Sequence, residues 1–162
     1  MLSRSLFEEH RNSGLIARAL TEWGHPRASR VGWDRSCRDR QRRAKRPKTT
    51  GLRADIDALP MTEYNTFSDA SVYVGKMDAC GHDGHTAMRL AAAKYLSTHR
   101  HFDRTVYLIF QPAEEVGGGA REMIKDGLFA RFPMDAIFGM HYWLGLGVGA
   151  VCHQVRARIC IQ

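Results

Sequence analysis

Apolar positions recur along the chain with two different periods. Within residues 6–23, Leu6, Phe7, Ile16, Leu20 and Trp23 fall where one face of a helix would gather them, with charged residues between. This stretch is expected to form an amphipathic helix, weakened by Gly14. Residues 83–98, DGHTAMRLAAAKYLST, are rich in the strong helix formers Ala, Leu and Met and predict a second helix. GGAREMIKDG predicts a third, closed by Gly127. Other runs have no helical period. TVYLIFQ, Thr105 to Gln111, and DAIFGMH, Asp135 to His141, are nearly continuous β-formers and suit strands buried on both faces. GLRADID, from Gly51, is a short strand candidate ending in carboxylates. Strands alternating with helices predict an α/β domain with a largely parallel sheet flanked by helices. No internal repeat or low-complexity tract interrupts it.

The 162 residues suffice for one domain with a core. No apolar run is long enough to span a membrane, and MLSRSLFEEHRNSG has no apolar stretch of the secretory kind. A cytoplasmic location is the expectation. The cysteines, Cys37, Cys80, Cys152 and Cys160, form no CxxC pair and are expected to be thiols.

Charge changes the picture for one segment. The net charge is +7, but residues 24–50 hold eight Arg and two Lys against two Asp, leaving the remainder at −1. With little apolar periodicity, this tract reads as a disordered basic linker. Nucleic-acid binding is disfavoured, because Trp33 is its one aromatic residue and no binding fold adjoins it.

The chemistry-bearing residues fall at predicted strand ends, where open α/β sheets place their sites. MDACGHDGHTA, Met77 to Ala87, holds one cysteine, two histidines and two aspartates. In an extended loop, Cys80 and His82 would face one side and suit a borderline divalent ion such as Zn²⁺, with Mn²⁺ possible where carboxylates share the site. The alternative is a buried cysteine beside a helix-capping Asp83. In QPAEE, Glu114 and Glu115 follow an apolar strand. Adjacent side chains diverge, so one could bind a metal while the other faces a water. The alternative is a solvated helix start. His141 ends the third strand, where a lone histidine is usually a core residue. Asp55 and Asp57 suit carboxylates that stand behind a ligand and orient it. The glycines at 117–119 lack the Lys-Ser/Thr of a phosphate loop and read as a tight helix entry.

Taken in order, GLRADIDALPMTE, MDACGHDGHTA, TVYLIFQPAEE and DAIFGMH resemble the M20 metallopeptidase superfamily. The branch is that of hippurate hydrolases, N-acyl-amino-acid amidohydrolases and auxin-conjugate hydrolases. The resemblance spans residues 51–148, about three fifths of the chain. It implies a site for two divalent ions, Mn or Zn. By motif position Cys80, His82, Glu115 and His141 look like metal ligands. Glu114 looks like the catalytic base, and Asp57 like a carboxylate behind the ligands. The implied reaction is hydrolysis of a small-molecule N-acyl amino acid, with no membrane partner. Homodimers are implied for intact relatives, through a lid domain.

Three departures accompany the resemblance. The family usually has histidine where this chain has Asp78. Its lid domain and final histidine ligand have no counterpart in residues 1–162. A glycine-rich hairpin is expected where residues 24–50 are arginine-rich. Codon degeneracy permits residues 24–32 to be encoded so that the next frame reads G-I-R-V-H-R-G-L, resembling that hairpin. Ala150 to Cys160 can be encoded so that the next frame reads R-F-A-T-R-S-G-P-A-S. The expectation is therefore an N-terminal helix at 1–23, a frame-shifted or disordered tract at 24–50, an incomplete catalytic domain at 51–149 and an aberrant tail at 150–162. On this reading little activity is expected of the chain, and metal binding without catalysis is the alternative.

Overall fold

The computed structural model describes residues 9–25, 28–29, 32–36, 48–143 and 145–152. Helix α1 (His10–Glu22) buries Ile16 and Leu20, four residues apart on one face, and Trp23 packs beside them. Leu6 and Phe7, assigned to the same face by the apolar pattern, lie outside the described residues. Strands β1 (Ala28–Ser29) and β2 (Gly32–Ser36) form an antiparallel pair. Next come β3 (Lys48–Asp55), α2 (His82–Thr98) and β4 (Arg104–Gln111). The short helices α3 (Glu114–Gly117), α4 (Gly119–Lys125) and α5 (Leu128–Arg131) lead to β5 (Ala136–Gly139).

The sheet order is β1-β2-β4-β3-β5. β3 runs parallel to β4 and β5, while β2 is antiparallel to β4. The largely parallel α/β sheet thus holds for three strands, with an antiparallel edge. Within the tract at 24–50, Gly32–Ser36 pairs along the edge of β4, and β3 begins at Lys48, not Gly51. The backbone of these residues finds a ladder whatever their charge, because β4 offers an open edge. Residues 37–47, most of the basic tract's centre, lie outside the described residues.

β4 is buried on both faces, as its apolar run predicts. Leu108 and Phe110 join Ile16, Leu20, Ile56, Ala93 and Val106 beneath α1 and α2. Ile109, pointing the other way, joins Met123 and Leu128 beneath α4 and α5. The apolar run at 135–141 was expected to be another buried strand and is not. β5 occupies the sheet edge, with Ile137 half-buried and Phe138 exposed. Apolar continuity alone does not distinguish an edge from a centre. Among the described residues, no helix is long and apolar enough to cross a membrane.

Candidate metal centre

The carboxyl ends of β3 and β4 and the amino end of α2 converge. One placement differs from expectation. His82 is the first residue of α2, not part of an extended loop, with Cys80 just before it. Glu114 and Glu115 open α3, beyond the end of β4 at Gln111. The acidic helix start and the metal-facing pair are therefore compatible. The tight entry is made by backbone: Gly118 has φ 61°, and a Cβ on Gly119 would lie 1.7 Å from the Pro112 carbonyl oxygen.

His82 is buried. Its Nδ1 lies 2.9 Å from the backbone oxygen of Asp57 and donates to it, leaving Nε2 as an unprotonated acceptor. That Nε2 is buried without a hydrogen-bond partner, 3.7 Å from Asp55 Oδ2 and 3.8 Å from Glu115 Oε1. Asp57 Oδ2 accepts the backbone N–H of Glu115 at 3.1 Å. Its Oδ1 is 3.2 Å from His82 Nδ1 but gains no hydrogen bond, since the ring proton is directed to the carbonyl. One aspartate thus orients two candidate ligands.

Ligand atoms of Cys80, His82 and Glu115 lie within 4.8 Å of one another, and so do those of His82, His85 and His141. The two groups share His82. His141 follows β5 on an exposed segment, its Nδ1 donating to the Tyr142 carbonyl. The structure brings Cys80, His82, Glu115 and His141 together. Glu114 is exposed beside them, close enough for its charge to oppose ionisation of Cys80. The Cys80 thiol is pushed up to about 11, first by its hydrogen bond to Glu115, then by burial and by the charges of Glu115, Glu114 and Asp78. An uncompensated thiolate among carboxylates is unfavourable; a divalent cation between them would reverse that balance.

Asp55 is buried, and burial alone would raise its carboxyl. The hydrogen bond from His85 and the charge of Arg53, 2.8 Å away, outweigh burial and hold it below the usual carboxylate range. His85 and Asp78 were not assigned a role from sequence. The signal available was the second histidine of MDACGHDGHTA, one helical turn after His82.

The orphaned Nε2 of His82, facing a carboxylate and a thiol, fits a divalent ion. Comparison with known proteins agrees. Residues 51–156 match Peptidase family M20/M25/M40. The chain is 42% identical over 135 residues to the hippurate hydrolase of Campylobacter jejuni, covering 83% of this chain and 35% of that protein. It is 39% identical over 147 residues to the N-acyl-L-amino acid amidohydrolase of Geobacillus stearothermophilus, covering 90% of this chain and 39% of the relative. A Bacillus subtilis crystal structure described as a dinuclear metal binding peptidase from the M20 family superposes with a TM-score of 0.77 at 35% identity. It covers 87% of this chain and 39% of that one. The chain thus spans less than two fifths of the length of these relatives. With the matched segment covering well over half of its residues, the chain belongs to peptidase family M20/M25/M40.

Proposed function

We propose that this site is the metal-binding, water-activating part of an amidohydrolase that cleaves the amide bond of N-acyl amino acids. The observation that carries the reading is the buried, partnerless Nε2 of His82 within reach of Cys80 and Glu115. The substrate class is that named for the hippurate hydrolase and N-acyl-L-amino acid amidohydrolase relatives. Cys80, His82, Glu115 and His141 would hold two divalent ions. A thiolate with imidazoles suits Zn²⁺, and the carboxylate admits Mn²⁺. When bound, such ions acidify water and polarise a carbonyl. Glu114 would take the attacking water's proton and return it to the leaving amine. Asp57 would keep His82 in the tautomer that presents Nε2 and would hold the backbone of Glu115.

The test is metal content after dialysis against Mn²⁺ or Zn²⁺, read beside hippurate hydrolysis. The wild-type chain should retain divalent ion, and His82→Ala should lose it. Glu114→Gln should keep the ion while lowering hydrolysis by about 100-fold or more. A wild-type chain that retains no ion would sink the reading. A second reading, metal binding without catalysis, is favoured by the exposure of Glu114 and His141, which leaves the site open to bulk water. Retained metal with hydrolysis no faster than in Glu114→Gln would select it.

A further inference from the structure

We propose that His85 is a positioning residue that fixes His141 through the backbone of Tyr142. The inference rests on the metal-site reading only in taking His141 as a ligand.

His85 is 2% exposed, and both of its nitrogens are engaged. Nε2 lies 3.0 Å from the backbone nitrogen of Tyr142. A backbone N–H can only donate, so Nε2 accepts and the ring proton sits on Nδ1. Nδ1 lies 2.5 Å from Asp55 Oδ1 and donates to it. His85 therefore has no lone pair left for a metal, although its ring stands 4.6 Å from that of His141, centroid to centroid. Proximity makes it a candidate ligand; its hydrogen bonds make it a support.

The support is anchored in the sheet centre. Asp55 Oδ2 accepts from Arg53 Nη1 at 2.8 Å, and Arg53 Nε donates to Gln111 Oε1 at 2.9 Å. The chain of contacts runs from β4 through β3 and α2 to the segment after β5. That segment needs a tether, because β5 is an edge strand and His141 is exposed. α2 also leaves room for it. A Cβ on Gly84 would fall 2.1 Å from the Tyr142 ring, and one on Gly81 would fall 2.7 Å from it. The first turn of α2 is bare where Tyr142 docks, and His85 holds the same residue by its N–H.

Two substitutions separate the roles of the nitrogens. His85→Gln places an acceptor near the Nε2 position, and His85→Asn places a donor near the Nδ1 position. The metal-free full chain is observed first, by nitrogen-detected NMR of the imidazole and by exchange of the Tyr142 amide. The expected result is a neutral Nδ1-protonated His85 and a protected Tyr142 amide. Protection should survive in His85→Gln and vanish in His85→Asn, where metal affinity should also fall about 10- to 100-fold. An Nε2-protonated tautomer in the wild-type chain overturns the proposal even if the variants do not fold. So does the reverse order of the two variants, which would make support of Asp55 the role of His85. A wild-type chain that binds no metal but shows the expected amide pattern overturns the metal reading and leaves the tether standing.

Discussion

The Asp78 carboxylate accepts three backbone N–H groups at the start of α2. Gly81 and His82 donate to Oδ1 at 3.0 Å each, and Asp83 donates to Oδ2 at 2.6 Å. Gly81, in the left-handed region at φ 79°, has no side chain to cap the helix, so Asp78 supplies the acceptors from three residues earlier. Its charge also suits the positive end of the helix. Asp78 therefore fixes the turn that carries Cys80 and His82. Asp78→Ala should lower the unfolding free energy by about 1–2 kcal/mol in a urea titration, with a smaller loss for Asp78→Asn, which keeps an acceptor. A loss in Asp78→Ala indistinguishable from that of an ordinary surface substitution would rule the capping role out. At this scale the sequence was readable where chemistry is independent of conformation. Cys80 and His82 carry side chains that suit a borderline divalent ion, although the spacing alone left a buried cysteine open as the alternative. Asp78 was silent because its partners are backbone groups presented by a turn, and His85 because its partners, the Asp55 carboxylate and the Tyr142 amide, lie 30 residues before it and 57 residues after it.

Elements show the same division. The run at 105–111 foretold β4, because burial on both faces favours apolar residues at consecutive positions, here Val106 to Phe110. The run at 135–141 looked the same and became an exposed edge, since its place was set by β3 having a free side. The contact between α1 and the loop after β4 could not be foreseen at all. Glu9, at the amino end of α1, accepts the N–H of Ala113 on Oε1 at 3.2 Å. Ala113 has φ 49°, a left-handed conformation that costs a residue with a Cβ about 1 kcal/mol, and it directly precedes Glu114 and Glu115. α1 thus clamps the turn that launches α3. Burial raises the Glu9 carboxyl above 4.5, outweighing the two backbone hydrogen bonds that lower it. From pH 4.5 up to the raised value, the folded chain keeps a proton that the unfolded chain has released. Stability therefore falls as pH rises through that interval. Glu9→Gln retains the acceptor and cannot ionise. Melting temperatures taken across this range should show a shallower decline in Glu9→Gln than in wild type, and parallel curves would exclude the contribution.

At the scale of the whole molecule, apolar surface and charge oppose each other. On β5 and the segment that follows it, Phe138 is 58% exposed and Trp143 73% exposed, with Met140, Leu146, Val148 and Val151 also open. Among the described residues, β5 pairs only with β3, so its outer edge presents unpaired backbone groups beside that apolar patch. An open edge with apolar neighbours is a template for pairing with another chain. The net charge of +7 resists such association at low ionic strength, and salt screens the repulsion within about 10 Å at 0.1 M. The chain should therefore associate with rising concentration, and more so with added salt, in sedimentation velocity or light scattering. Phe138→Lys should suppress this by removing the apolar contact and placing a charge on the edge. Thr62→Lys adds the same charge at an exposed position outside the sheet, so it reports the effect of net charge alone. If both lysines act equally, long-range repulsion governs association and the edge is not the contact. If Phe138→Lys alone yields monomer, the edge that apolar continuity led one to place in the core is the surface through which copies of the chain meet.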